Sequence, residues 1–189
     1  MKTILKHIAN IQTGIYAQTV SSGSVVYLQA KHFDESGNLY NIVIPDLPLN
    51  SQTEKHLLND GDIIFAAKGS KNFAAKYEGK NGMCVASSTF LVIRLSDKFR
   101  SKILAEYLVW YINHPRIQEW LKAKARGSSI VSISKTDLQE LEILIPSIEK
   151  QKQILVIDSL QRREQELINN IQFLKEKFIQ HRLISAINK

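Results

Sequence analysis

The sequence predicts an α+β protein, with a mixed α/β domain over residues 1–146 followed by one long helix over residues 147–189. Three observations point there. Short runs rich in Val, Ile, Tyr, Phe and Thr alternate with Gly/Asn/Asp turns in the first part, as strands on a pleated surface require. Apolar residues then recur at helical spacing on either side of Pro115. Finally, residues 147–189 contain neither Gly nor Pro, which leaves nothing to break a helix. Hydrophobic residues at 44% and charged ones at 23% are the balance of a folded globular chain rather than a disordered one.

The elements follow in order. Strands are expected at Val25–Phe33, Leu39–Ile44, Ile63–Ala67 and Met83–Leu95. They are separated by the turn sequences Glu35-Ser36-Gly37-Asn38, Asn59-Asp60-Gly61-Asp62, Lys68-Gly69-Ser70 and Gly79-Lys80-Asn81-Gly82. Ser51 with Glu54 three residues on has the form of a capping box for a short helix ending near Asn59. Ile103, Leu104, Tyr107, Leu108, Tyr111 and Ile112 make one helical face. Pro115 ends that helix and starts another carrying Ile117, Trp120 and Leu121, which Gly127 stops. Trp110 and Trp120 read as core residues of this pair. Ser134 and Asp137 cap a further short helix, and Leu141–Ile145 is a last strand closed by Pro146. In the long helix, Ile157, Leu160, Leu167, Ile171, Leu174 and Phe178 fall on heptad a and d positions, with Glu164 a misfit. At about 1.5 Å per residue that helix is roughly 60 Å long. Its apolar seam calls for a partner helix, since burying each such side chain is worth about 1.5–3 kcal/mol.

Charge points to a polyanionic partner. The chain carries a net +7, and residues 66–126 alone hold twelve basic side chains against Glu78, Asp97, Glu106 and Glu119, a local balance of +8. A basic middle on a neutral frame suits nucleic acid. The longest apolar runs fall far short of a membrane span, and charge interrupts the first residues too early for a signal peptide. The single cysteine, Cys84, leaves no internal disulfide or multi-cysteine zinc site. A reducing, cytoplasmic setting is expected.

Catalytic equipment is sparse. No Gly-rich phosphate loop, Gly-x-Ser-x-Gly elbow or methyl-transfer motif occurs, and His7, His32, His56, His114 and His181 never pair at metal-ligand spacing. No cofactor and no metal site is expected. One alternative is a Mg²⁺-dependent nuclease: Pro45-Asp46 with Glu78-Gly79-Lys80 spells a two-carboxylate-and-lysine pattern. Turn residues surround Glu78 and Lys80, whereas such a site needs them on a strand. A further alternative is an interaction protein whose coiled coil binds a partner without reading DNA.

Two loops carry the binding signal. Lys68, Ser70, Lys71, Asn72 and Lys76 follow a strand and bracket Phe73-Ala74-Ala75, offering cations for phosphates and amide or hydroxyl groups for base edges. Lys124, Arg126 and Ser128 form a second such loop around Gly127.

The order of these residues resembles target-recognition domains in the specificity subunits of type I restriction–modification systems. Leu57-Leu58-Asn59-Asp60-Gly61-Asp62-Ile63-Ile64 is similar to the family's L-x-x-G-D-I-L strand. Arg126-Gly127-Ser128-Ser129, Ile133-Ser134-Lys135-Thr136-Asp137-Leu138, Leu141–Pro146 and Ile148–Ile154 resemble its junction between recognition domain and spacer helix. Glu149-Lys150-Gln151 departs from the usual adjacent Glu-Gln. The stretch from Leu5 to Gly14 is similar to the family's opening. The resemblance implies a non-catalytic, DNA-reading subunit that directs methyltransferase and restriction subunits. Family members typically carry two recognition domains whose long helices pack as an antiparallel coiled coil. This chain resembles half of one, which implies a homodimer reading a bipartite site on double-stranded DNA.

Overall fold

The computed structural model describes residues 1–34, 37–39, 43–69, 72–125 and 132–187. The chain divides into two compact units, Met1–Ile148 and Glu149–Lys189.

The first unit is built on a four-stranded antiparallel sheet in the order β2 (Ala9–Thr13), β7 (Phe90–Leu95), β4 (Ile63–Ala66), β5 (Ala74–Lys76). All four residues of β4 are buried, so both faces of the sheet are covered. One face meets a cluster that includes Val26, Leu28, Phe33, Phe73, Tyr77 and Cys84, packed on Ile64, Phe90 and Val92. Phe33, Phe73 and Phe90 form a triad, one pair tilted and two edge-to-face, with centroids 5.4–6.1 Å apart. The cluster rests partly on a short parallel pair, β3 (Val26–Leu28) with β6 (Cys84–Ala86). Toward the other face lie α3 (Ala105–Asn113), packed on β5, and α5 (Lys135–Gln139), packed on β2. Between them runs α4 (Pro115–Lys124), which Pro115 opens at its first turn. β1 (Lys2–Ile4) pairs antiparallel with β8 (Glu142–Leu144), Thr3 opposite Ile143. The Met1 amino group donates to the Ile145 carbonyl and the Ile145 N–H donates back to Met1, each at 2.8 Å.

β5 is an edge strand, whose free N–H and C=O groups need partners. Asn113, at the end of α3, supplies them: the Ala74 N–H donates to its Oδ1 at 2.7 Å, and its Nδ2 donates to the Ala74 carbonyl at 2.8 Å. A side-chain amide thus replaces a fifth strand.

Several expected elements differ in extent. The run Val25–Phe33 is extended only over Val26–Leu28; Ala30–His32 then forms a 3₁₀ turn, with the Gln29 N–H donating to His32 Nδ1 at 3.2 Å. Of the expected strand Leu39–Ile44, residues 40–42 lie outside the described residues, and Leu39 forms a single bridge to Phe33. Met83–Leu95 is two strands, broken at Ser87–Thr89, where the two hydroxyls bond each other at 2.7 Å. The helix expected at Ser51 to Asn59 is α1 (Ser51–Lys55), capped by Asn50 and not by Ser51. Asn50 Oδ1 accepts from the Gln52 and Thr53 N–H groups, and the Thr53 hydroxyl oxygen accepts from the Asn50 N–H. One turn, α2 (Asp97–Arg100), precedes α3. Trp110 and Trp120 are half-buried rather than core, while Leu108, Ile112 and Leu121 fill the interior.

The second unit is helical throughout its described length. α6 (Ile148–Ile187) is one uninterrupted helix of 40 residues, about 60 Å at 1.5 Å per residue. Ile157, Leu160, Leu167, Ile171, Leu174 and Phe178 are exposed along it, as are Val156, Ile168, Phe173 and Ile179. The apolar stripe is therefore wider than the heptad positions alone.

Candidate nucleic-acid interface

The sheet register gathers four connections at one end. β2 finishes there at Thr13 and runs into Gly14 and Ile15; β7 starts there at Phe90, just after the Ser87–Thr89 turn. β4 leaves there at Ala66 toward Lys68, and the chain returns through Asn72 and Phe73 into β5. Backbone hydrogen bonds knit this rim together. The Gly14 N–H donates to the Phe90 carbonyl at 3.0 Å and the Ile15 N–H to Ala86 at 2.9 Å. The Ala67 and Lys68 N–H groups donate to Thr89 at 2.9 and 3.3 Å. The Phe33–Phe73–Phe90 triad includes the first residue of β7 and the residue before β5, which braces the rim from inside.

The same end receives the chain at Ser132 and Ile133. Lys68 and Ser132 form an antiparallel bridge, and the Ile133 N–H donates to the Ala67 carbonyl at 2.9 Å. The first loop at Lys68 thus neighbours Ser132, although more than sixty residues separate the two. Residues 13–24, 66–73, 86–90 and 122–134 contain no Asp or Glu, but they include Lys68, Lys71, Lys122, Lys124 and Arg126. The opposite end of the sheet is mixed in sign, with Asp60, Asp62, Glu78, Asp97 and Glu106 among its cations. A shallow cavity of about 160 Å³ lies there, lined by Asp60, Asp62, Arg100 and Glu106.

Individual residues sort accordingly. Lys68 is exposed on the rim. Asn72 is half-buried, its Nδ2 donating to the Ala66 carbonyl at 2.7 Å, so its amide nitrogen already holds the loop's own backbone. Lys124 is exposed at the end of α4, with Nζ 5.7 Å from the Trp120 ring centroid. Ser70, Lys71, Arg126 and Ser128 lie outside the described residues.

Lys76 is placed apart from the rest. It pairs across the sheet with Ile63, five residues before Lys68 along β4, roughly 17 Å away at strand rise. There its Nζ lies 2.6 Å from Glu106 Oε1. The hydrogen bond it donates to Glu106 is the main reason the Lys76 ammonium is held above its ordinary range. Burial alone would raise the Glu106 carboxyl, but the hydrogen bond and charge of Lys76 together with a backbone hydrogen bond hold it below. Lys76 is committed to an ion pair at the mixed-sign end. Spacing on one strand hid this, because position along a strand selects an end of the sheet as well as a face.

The nuclease pattern is dispersed. Glu78 caps a 3₁₀ turn (Gly79–Asn81) and pairs with Lys80, and Asp46 accepts from the Tyr27 N–H at 2.8 Å. Among the described residues no group of three or more His, Cys, Asp or Glu is placed to hold a metal ion.

Residues 8–173 match the family described as the type I restriction modification DNA specificity domain. The chain belongs to this family. Over 107 residues it is 33% identical to a protein of Methanocaldococcus jannaschii described as a type I restriction enzyme MjaX specificity subunit, a match covering 54% of this chain and 24% of that protein. The fold is similar to that of a type I restriction-modification S subunit from M. genitalium, with TM-score 0.59 and 17% identity over 85% of this chain and 38% of that one. It is also similar to the HsdS subunit of Thermoanaerobacter tengcongensis, with TM-score 0.58 and 16% identity over 86% and 37%. This chain therefore spans about a quarter of the archaeal relative and under two fifths of the solved chains. No described helix is long and apolar enough to cross a membrane.

In this specificity domain, the residues that carry the resemblance are mostly architectural. Gly61 has φ +82°, which favours glycine, and Asp62 follows it at 1% exposure. Asp62 accepts from the Asn59 N–H at 2.8 Å and from Arg94 Nε and Nη2 at 2.8 and 2.6 Å. These hydrogen bonds are the main cause of the upward shift of the Arg94 guanidinium. The Gly-Asp pair thus starts β4 and locks it to β7. Ser134 Oγ accepts from the Asp137 N–H at 3.0 Å at the start of α5, with Ile133 and Leu138 buried on either side. Gly14 is required because a Cβ there would come within 2.2 Å of the Ser87 carbonyl oxygen.

Proposed function

We propose that this chain is a non-catalytic DNA-reading module of a type I restriction–modification system, which docks the rim around Lys68 on double-stranded DNA. The observation that carries the reading is the bridge between Lys68 and Ser132, which sets the cation of the first loop beside the stretch that follows the second, in segments of the sequence that hold no Asp or Glu. Lys68, Lys71, Lys124 and Arg126 supply phosphate contacts, and Ser70, Asn72 and Ser128 supply hydrogen-bonding groups beside them. Lys76 is left to Glu106. Two copies pair through α6 as an antiparallel coiled coil, with Ile157, Leu160, Leu167, Ile171, Leu174 and Phe178 in the seam. The resulting dimer reads a bipartite site, helix length sets the gap, and methyltransferase and restriction subunits act where it binds. The exposed stripe on α6 supports the pairing, since such a surface gains by excluding water.

Binding to a random-core duplex across a salt series tests the DNA reading. With five cations in the two loops of the sequence, affinity should fall steeply with salt, and Lys68→Ala should reduce the log–log slope by about one in magnitude. Salt-insensitive binding, or a Lys68→Ala variant identical to wild type, would overturn it. Light scattering tests the pairing: the full chain should have the mass of two chains, and a Leu167→Glu/Leu174→Glu variant that of one. A wild-type mass of one chain at micromolar concentration refutes the dimer.

A further inference from the structure

The rim has a part without charge. After β2, residues 15–24 read Ile-Tyr-Ala-Gln-Thr-Val-Ser-Ser-Gly-Ser, with six polar side chains and no ionisable acid or base other than the tyrosine. This segment adjoins the turn that holds Lys68. Ile15 bridges to Ser87, and Thr89, two residues on, accepts from Lys68. Strands lie about 4.8 Å apart, so the end of β2 is two spacings, roughly 10 Å, from the end of β4. That is about three base-pair steps of duplex at roughly 3.4 Å each.

Within the segment, Tyr16 is singular. It is 76% exposed, yet both its neighbours are fixed. Ile15 is buried, and its carbonyl accepts from the Tyr27 hydroxyl at 2.9 Å. Ala17 packs against the cluster of Ile15, Val25, Tyr27, Leu47 and Val85, and its N–H donates to the same Tyr27 hydroxyl at 3.3 Å. Further along, the Val20, Gly23 and Ser24 N–H groups donate to Asp46, Pro45 and Leu47. A large amphipathic side chain is thus held out in water by a backbone pinned on both sides. That arrangement forfeits the burial a tyrosine normally gains and loses little entropy when a partner covers the ring.

We infer that Tyr16 is a specificity-determining residue of the DNA-reading rim, contacting a base edge through its ring and hydroxyl while Lys68 holds the neighbouring phosphates. The inference rests on the DNA-reading proposal above. An uncharged segment adds little to the salt-dependent term, so its contribution is to discrimination between sequences.

The test uses the full chain and a random-core duplex pool. Wild type, Tyr16→Ala and Lys68→Ala are each taken through selection, and the selected and unselected pools are then titrated across salt. Tyr16→Ala should narrow the ratio of selected to unselected affinity by roughly five- to a hundredfold, with one position of the motif relaxed and the salt slope kept. Its melting temperature should match wild type, because the side chain is exposed. Lys68→Ala should weaken both pools together. A Tyr16→Ala variant with unchanged motif and ratio overturns the inference while leaving DNA reading intact. A Tyr16→Ala variant that loses salt slope instead makes Tyr16 a phosphate contact and also overturns it. Wild type selecting no motif overturns both readings.

Discussion

Asp62→Ala separates architecture from recognition within one of the stretches that carry the family resemblance. The substitution removes an acceptor for two Arg94 hydrogen bonds and one from the Asn59 N–H. Charge-assisted bonds contribute about 1.5–3 kcal/mol each. Arg94 is 31% exposed and recovers part of that from water, whereas Asp62 is 1% exposed. Adding the stranded Asn59 N–H, the expected loss is about 3 kcal/mol. For a unit of this size that lowers the melting temperature by roughly 6–12 °C. Urea melts should show a lower midpoint with an unchanged slope. Arg94→Ala should destabilise by a similar amount, and the double variant by well under the sum of the two. Well below its melting point, Asp62→Ala should bind duplex DNA like wild type. A variant of unchanged stability that no longer binds DNA would refute the reasoning and make the Gly-Asp pair part of the interface.

Other perturbations probe the remaining joints. Gly14→Ala forces a Cβ to within 2.2 Å of the Ser87 carbonyl and 2.4 Å of Ala86, so it should destabilise by about 1–3 kcal/mol in a urea melt. Asn113→Ala leaves the Ala74 N–H and C=O without the amide that pairs them, and about 2 kcal/mol of stability should go with it. Burial pushes the Cys84 thiol up to about 11, so at pH 8 a thiol reagent should label the native protein at least a hundredfold more slowly than the urea-unfolded chain. Glu106 titrates below its usual range when folded, so its contribution is complete above about pH 4.5 and fades as pH falls through the lower folded value. The pair is partly exposed and the effect is at most about 1 kcal/mol, which Glu106→Gln should remove from the acid limb of the stability–pH curve.

Local chemistry made much of the fold legible in the sequence. Pro115, the Ser134–Asp137 cap and the uninterrupted run after Ser147 each act within a few residues and each is present in the structure, while the apolar face is helical from Tyr107 to Ile112 and Ile103 and Leu104 precede the helix. β1 and β2 were not anticipated because their partners are remote: Lys2–Ile4 pairs near residue 143, and Ala9–Thr13 pairs with Leu91–Leu95. The break at Ser87–Thr89 was hidden in a continuous run of strand-forming residues. In the candidate interface, charge along the sequence marks the loops but does not assign them to an end of the sheet, so it groups Lys76 with residues that Lys76 does not neighbour. Tyr16 gave no sequence signal at all. Its prominence comes from Tyr27, eleven residues later, holding the backbone on both sides of it.

The pairing of β1 with β8 has a consequence for how such a lobe can be used. Because the strands that bound it are hydrogen-bonded neighbours, the polypeptide arrives and departs at a single locus. A lobe of that kind can be grafted into a longer polypeptide, or exchanged for another of the same layout, without its flanking segments being rerouted. Change on the far rim, where loops and not register are free to vary, then leaves the anchoring seam untouched.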